Sequence, residues 1–193
     1  MNLQELKKQI DFAIKDVKCV IEKNPKAVLS EGDLERLLSY YISKRIGYVP
    51  ENPDPNNFAV YSQISHYKND NNILDARVDL VLMRPNEIEP DTSLNKHFVY
   101  KAKESFAIEL KYRHLDENRS NNASSVKAAK EDIKKYDRYK KESYYYAIIL
   151  LDESDNTSEC EKEILGFYKE MKKQLGKEYN NKFFCKVLKK KAE

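Results

Sequence analysis

The chain has 193 residues, of which 35% are charged and 40% hydrophobic, and its formal net charge is +3. A chain of this length can bury a core of its own, and periodic apolar blocks argue against disorder. The charge is too small to require a nucleic-acid partner by itself, and no apolar run approaches the ~20 residues that span a bilayer. Since an apolar signal segment is also absent from the sequence, we expect one cytoplasmic domain over residues 1–193 without membrane association.

Cysteine and histidine residues supply no pattern of their own. The three cysteines are widely spaced, none belongs to a Cys-x-x-Cys pair, and the three histidines are scattered. Zinc sites and histidine-based triads need such residues in defined sets. The sequence therefore favours neither a zinc hydrolase nor a disulfide scaffold.

Two helices are predicted near the start of the chain. Residues 2–23 carry apolar side chains at helical spacing with lysines opposite, which indicates an amphipathic N-terminal helix over 1–24. After Pro25, Ser30 is placed to cap a second helix that runs to about Arg45.

The second helix carries two acidic candidates, Glu31 and Glu35. At about 100° per residue, Glu31 falls inside the buried arc and Glu35 near its edge. A carboxylate on the inward side needs a cation, a metal ion or good donors. The alternative for Glu31 is favourable charge placement in a first helical turn, worth about 0.3 to 1 kcal/mol.

Three strands follow, over residues 58–67, 75–83 and 105–113, and consecutive strands of this kind predict an antiparallel meander. The polar segment 84–104 contains two prolines and is expected to loop out or to add a short hairpin. Two further helices are predicted over residues 121–141 and 157–175. Two further strands are predicted over residues 144–151 and 183–188. Together these elements predict an α/β domain whose mixed sheet lies between helices.

The strand 105–113 places Glu109 and Lys111 on one face, opposite an apolar face that includes Leu110. Asp79 occupies the preceding strand between apolar neighbours. An acidic residue two before a lysine also occurs at Glu5-Lys7, Asp16-Lys18, Asp132-Lys134 and Glu170-Lys172. Those four pairs lie in helix-periodic stretches, where residues two apart do not face each other.

The pattern therefore predicts a cluster of two acids and one lysine on the sheet. Such a cluster suits a metal site in which the lysine supplies a further positive charge. The alternative is an exposed cross-strand charge pair, which contributes about 0.2 to 1 kcal/mol and has no catalytic role.

In chain order, the sequence has a helix acid, then Asp79, then Glu109-Leu110-Lys111, and then a further helix. This order resembles that of the PD-(D/E)XK nuclease superfamily, whose restriction-endonuclease-like core has the element order αβββαβ. The resemblance covers residues 30–152. It implies an extra N-terminal helix, and a C-terminal helix and strand over 157–193, around that core.

The resemblance also implies roles for particular residues. Asp79 and Glu109 would hold the metal ion, the Leu110 carbonyl would be an added ligand, and Lys111 would assist the attacking water. The helix acid would be Glu31, with Glu35 as the second candidate. Many members carry Gln-x-x-x-Tyr on the next helix, where this chain has Asp132 and Tyr136.

The function implied is a Mg²⁺-dependent endonuclease acting on phosphodiester bonds, most simply of DNA, with Mn²⁺ as a substitute ion. Lys127, Lys130 and Lys134 on the helix after Lys111 would bind substrate phosphates, although by themselves these lysines are more simply explained by a solvated helix face. Dimerisation is common among such nucleases, and the amphipathic first helix offers one interface. The alternative function is an inactive nuclease-fold module for nucleic-acid binding or protein assembly.

Overall fold

A computed structural model of the chain describes residues 1–52, 54–68, 74–91, 99–101, 104–113, 119–136, 143–152, 157–175 and 177–190. The helices are α1 (Leu3–Lys23), α2 (Glu31–Ile46), α3 (Arg119–Lys134), α4 (Thr157–Gln174) and the short α5 (Lys177–Asn180). The strands are β1 (Ala59–Lys68), β2 (Leu74–Met83), β3 (Glu89–Asp91), β4 (Val99–Lys101), β5 (Ser105–Arg113), β6 (Ser143–Asp152) and β7 (Phe183–Lys190).

Five strands form a mixed sheet in the order β1-β2-β5-β6-β7. β1, β2 and β5 pair antiparallel, which confirms the predicted meander, whereas β5, β6 and β7 run parallel. The segment between β2 and β5 adds the two-stranded hairpin β3-β4, one of the two predicted outcomes. The predicted α/β class, a mixed sheet flanked by helices, is confirmed.

The sheet separates two apolar cores. Leu80, Phe106 and Ile108 belong to the core that also contains the buried residues of α1 and α2. Val81, Ala107 and the inward side of α3 and α4 belong to the other core. The apolar face of α1 packs inside the chain, so a dimer interface on this helix would have to use its polar side, and dimerisation stays a prediction.

Capping interactions define the two ends of α2. The Ser30 hydroxyl accepts a hydrogen bond from the Asp33 amide at 3.2 Å, and the Asp33 carboxylate accepts one from the Leu29 amide at 3.1 Å. Gly47 ends the helix with φ of 67°, a conformation that glycine adopts without a Cβ clash. These caps place Glu31 in the first turn of α2.

Some boundaries differ from the predictions. α3 ends at Lys134 and is followed by the turn residue Lys135, whose amide reaches the Glu131 and Asp132 carbonyls, each at 3.2 Å, and then by the helical residue Tyr136. The predicted helical residues 137–141 lie outside the described part of the chain. β7 extends to Lys190, two residues past its predicted end. Within the described ranges, no helix combines the length and apolar character needed to cross a membrane.

The feature that positions the site is a gap between β2 and β5. Pairing of these two strands runs from Met83 opposite Ser105 to Leu80 opposite Ile108 in the described residues of both strands. β5 continues for five more residues and keeps its pairing with β6 to its end. The β2 side of this continuation is an open strand edge, and Glu109 is its first residue.

Candidate acid–lysine site

Two carboxylates lie along the open edge of β5. The Asp79 carboxylate accepts a hydrogen bond from the Leu110 amide at 2.7 Å, and that of Glu31 accepts one from the Tyr112 amide at 3.4 Å. The amide and the carbonyl of one strand residue point to the same side, so the Leu110 carbonyl also faces this gap. Side-chain oxygens thus replace the backbone carbonyls that β2 would otherwise supply.

Glu109 is the most buried acid of the group, with 3% of its surface exposed. The ammonium group of Lys135 donates to its Oε1 atom. Its other oxygen, Oε2, is buried and makes no hydrogen bond in the described part of the chain. A buried carboxylate oxygen without a donor is costly, because it has given up water and gained nothing in return.

Two lysines link the acids into one cluster. Lys111 Nζ lies 3.1 Å from Glu31 and 3.5 Å from Asp132, and Lys135 Nζ lies 3.0 Å from the other oxygen of Asp132. Asp132 is itself buried, at 6% exposure. We call Glu31, Asp79, Glu109, Asp132, Lys111 and Lys135 the acid–lysine site. Its four carboxylates and two ammonium groups leave a formal charge of −2.

Burial, together with neighbouring negative charge, raises the pKa of two acids in the site. Burial first, and then the neighbouring Asp79, raise the pKa of Glu109 from 4.5 to about 7. Burial also raises the pKa of Asp79, and the Glu31 charge adds to this effect, while the Leu110 amide opposes it. For Lys135, burial acts to lower the pKa, but the hydrogen bond to Glu109 and the charges of Glu109 and Asp132 together outweigh burial, so the pKa is raised. These protein groups by themselves therefore hold the negative charge of the site at a cost in free energy.

This cost predicts a pH dependence of stability in the absence of divalent ions. The folded chain binds the Glu109 proton more tightly than the unfolded chain, so the free energy of unfolding falls as pH rises from 4.5 to about 7. The shift corresponds to at most roughly 3 kcal/mol. Urea unfolding at pH 5 and pH 8 in EDTA measures it, and the Glu109→Gln variant should lack this part of the decline. Equal declines in the two proteins would contradict the assigned shift.

The structure brings together Asp79, Glu109, Lys111, Glu31 and Asp132 from the predicted site residues. Tyr136 lies elsewhere, in the second core, where its ring stacks on Phe183 at 4.3 Å and its hydroxyl donates to the Tyr179 carbonyl at 3.3 Å. Glu35 is partly exposed on α2.

The predicted phosphate-binding lysines lie on the outer side of α3. Lys130 pairs with Glu163 of α4 at 2.6 Å, and Lys134 pairs with Glu131 at 2.8 Å. Lys127 is exposed. The acidic partners reduce the positive charge that Lys130 and Lys134 present, which agrees better with a solvated helix face than with a dedicated phosphate surface.

Lys135 is the site residue that sequence reasoning missed. Helical periodicity alone places Lys135 among the outward lysines of this helix, one turn after Glu131. In the structure the Lys135 ammonium group contacts Glu109 and Asp132. The available signal was its spacing of three residues from Asp132, which allows an ion pair on a helix.

The residues present fit a divalent ion of the magnesium type. Mg²⁺ takes one or two carboxylates and completes its octahedron with water and phosphate oxygens. The donor-free Glu109 oxygen, the neighbouring Asp79 and the Leu110 carbonyl supply oxygen ligands of this kind. A site with three or more acidic, histidine or cysteine ligands was not found among the residues that the structure describes. The donor set thus suits a metal ion that keeps several waters.

No model of a known protein family matches the chain, and comparisons with curated proteins and with solved structures find no significant match. The fold and the site define a mixed α/β protein with a buried acid–lysine cluster at an open strand edge. What the chain does must be inferred from that cluster.

Proposed function

We propose that the chain is a metal-dependent nuclease that hydrolyses phosphodiester bonds, with the acid–lysine site as its active site. The observation that carries this proposal is the buried, donor-free Oε2 of Glu109, next to Asp79 and to the Leu110 peptide. An oxygen that is kept dry and unpaired among other acids suits a ligand of a hard cation.

The formal charge of the site supports the same ion. Four carboxylates against two ammonium groups leave −2, which one divalent cation would neutralise. In the metal-free protein a proton on Glu109 supplies part of that positive charge, as its raised pKa of about 7 indicates. A cation in the site would take over the role of that proton.

The residues of the acid–lysine site have different roles in the proposed reaction. Asp79 and Glu109 would hold Mg²⁺ or Mn²⁺ together with the Leu110 carbonyl, and the ion when bound would lower the pKa of a water and neutralise phosphate charge. Lys111 holds a positive charge between Glu31 and Asp132, where it would orient the attacking water and stabilise charge that develops on the phosphate. Glu31 and Asp132 hold the Lys111 ammonium from two sides.

The chain order of the elements supports the nuclease interpretation further. The chain begins this order with a helix that carries an acid. An antiparallel meander follows, with one acid on its second strand and an acid and a lysine on its third. A helix and a parallel strand come next. This agrees with the αβββαβ order of the PD-(D/E)XK superfamily, which implies DNA as the first substrate to test.

An observation also favours the alternative function, a nuclease-fold module that binds nucleic acid or partners without cutting. Lys111 and Lys135 pair with three of the four acids, and Asp79 and Glu31 cap amides of the open strand edge. Such a network could serve only to close an exposed edge of the sheet. It leaves unexplained the donor-free Glu109 oxygen.

One assay separates the two functions. The purified chain is incubated with supercoiled plasmid, linear duplex, single-stranded DNA and RNA in Mg²⁺, in Mn²⁺ or in EDTA. We expect cleavage of at least one substrate with either ion and none in EDTA. Binding without cleavage on every substrate, unchanged by EDTA, would instead establish the non-catalytic module.

A further inference from the structure

We propose that Lys135 is the resident counter-cation of the empty site, and that it leaves Glu109 when the divalent ion binds. The residue thereby stabilises the metal-free protein and weakens its affinity for the ion. This inference rests on the proposed function, because it concerns the same site.

Position is the first support. Lys135 is the residue directly after α3, and its ammonium group contacts Glu109 and Asp132 at once. Glu109 is the acid with the least exposure in the site, and Lys135 is the only described cation that hydrogen-bonds it. A divalent ion that binds Glu109 must therefore approach a carboxylate that already carries a positive partner.

Electrostatics give the direction of the effect. A positive charge beside a cation site repels the incoming ion, and this repulsion is large where water is largely excluded. The same charge stabilises the carboxylates when no ion is present, since uncompensated buried charge is strongly destabilising. Lys135 therefore acts in opposite directions on the empty and the loaded protein.

Lys111 has a different position and cannot replace Lys135. Its ammonium group lies between Glu31 and Asp132, and its ion pairs do not include Glu109 in the described residues. Asp132 holds one lysine on each of its oxygens. When Lys135 leaves Glu109, Asp132 can keep it within the site.

The test is Lys135→Met, which keeps the length of the side chain and removes its charge. Mn²⁺ affinity is measured by isothermal titration calorimetry, and thermal unfolding is measured in EDTA and in excess Mn²⁺. We expect Mn²⁺ to bind about tenfold more tightly, because a like charge is gone. We also expect a lower Tm in EDTA and a larger rise of Tm on adding Mn²⁺ than in the wild type.

Two further variants serve as controls. Lys44→Met removes an exposed lysine from the last turn of α2, so its Mn²⁺ affinity and its Tm shift should equal those of the wild type. Lys135→Arg keeps the charge and should bind Mn²⁺ with about the wild-type affinity. Affinity unchanged or weakened in Lys135→Met would overturn the proposal.

A measurement on the wild type covers the case in which Lys135→Met does not fold. Acetylation of lysines by an excess of reagent is followed by mass spectrometry with and without Mn²⁺. We expect Lys135 to become more reactive when Mn²⁺ is added, whereas Lys44 stays unchanged. Equal reactivity of Lys135 under both conditions would show that it stays on Glu109 and would overturn its release.

These outcomes are distinct from failure of the nuclease proposal. If the wild type binds Mn²⁺ and cuts DNA, and Lys135→Met binds Mn²⁺ with equal affinity, the nuclease proposal is retained and the proposed role of Lys135 is rejected. A wild type that neither binds Mn²⁺ nor cuts any substrate removes both.

Discussion

Replacing Glu109 with Gln is expected to abolish ion-dependent cleavage while the fold is retained. The substitution preserves the shape of the side chain but removes the charge and turns one ligand oxygen into an amide nitrogen. Loss of a carboxylate that binds the catalytic ion removes several kcal/mol of transition-state stabilisation, so the rate of cleavage should fall about a thousandfold or more. Plasmid cleavage at saturating Mg²⁺ measures this, with Mn²⁺ titration as the second readout.

The folded state of this variant should not suffer in the same way. Glu109 is buried and its ionised form is disfavoured, as its raised pKa shows, so a neutral amide removes a cost. Glu170→Gln, an exposed change on α4, is the matched control and should cut at the wild-type rate. Cleavage by Glu109→Gln equal to that of the control would assign the activity to another site or to a contaminant.

Replacing Lys111 with Met should lower kcat by about a hundredfold to a thousandfold while Mn²⁺ still binds. A single well-placed donor to developing charge contributes an effect of this size. In the described residues, Lys111 forms ion pairs with Glu31 and Asp132. Within these same residues it forms none with the predicted ion ligands, Asp79 and Glu109. We therefore expect a change in kcat, measured at saturating substrate, with little loss of ion affinity by calorimetry.

Lys169→Met is the control for this second substitution, since Lys169 is exposed on α4. The contrast with Lys135→Met is informative, because the two lysines share Asp132 but should act on different steps. Full cleavage by Lys111→Met would remove its assignment to the chemical step and would favour a purely structural ion pair with Glu31.

Much of the fold could be predicted because its patterns are local. The apolar spacing of α1, the Ser30 cap of α2 and the period-two alternation of β5 each depend on neighbours within a few residues. The buried positions Val126 and Ile133 on α3, and Tyr136 two residues past its end, follow from the same periodicity. The antiparallel meander followed because consecutive strands tend to pair.

The site was predictable only in part. Asp79, Glu109 and Lys111 stand out because charged residues are rare in apolar strands, and Asp132 by its place after them. The end of α3 at Lys134 and the pairing of Lys130 with Glu163 depend on tertiary contacts, which one sequence does not contain. The ion pair of Lys135 with Glu109 and the stacking of the Tyr136 ring on Phe183 likewise depend on tertiary contacts.

The most direct measurement is the position of Mn²⁺ in crystals of the wild-type protein, located by its anomalous scattering. We expect one peak within about 2.1 to 2.5 Å of carboxylate oxygens of both Asp79 and Glu109, on the gap side of the Leu110 carbonyl. Under the same conditions, crystals of Glu109→Gln should lose the peak. A Mn²⁺ ion bound elsewhere, or none bound at saturating concentration while Glu109 keeps its contact with Lys135, would contradict the nuclease site.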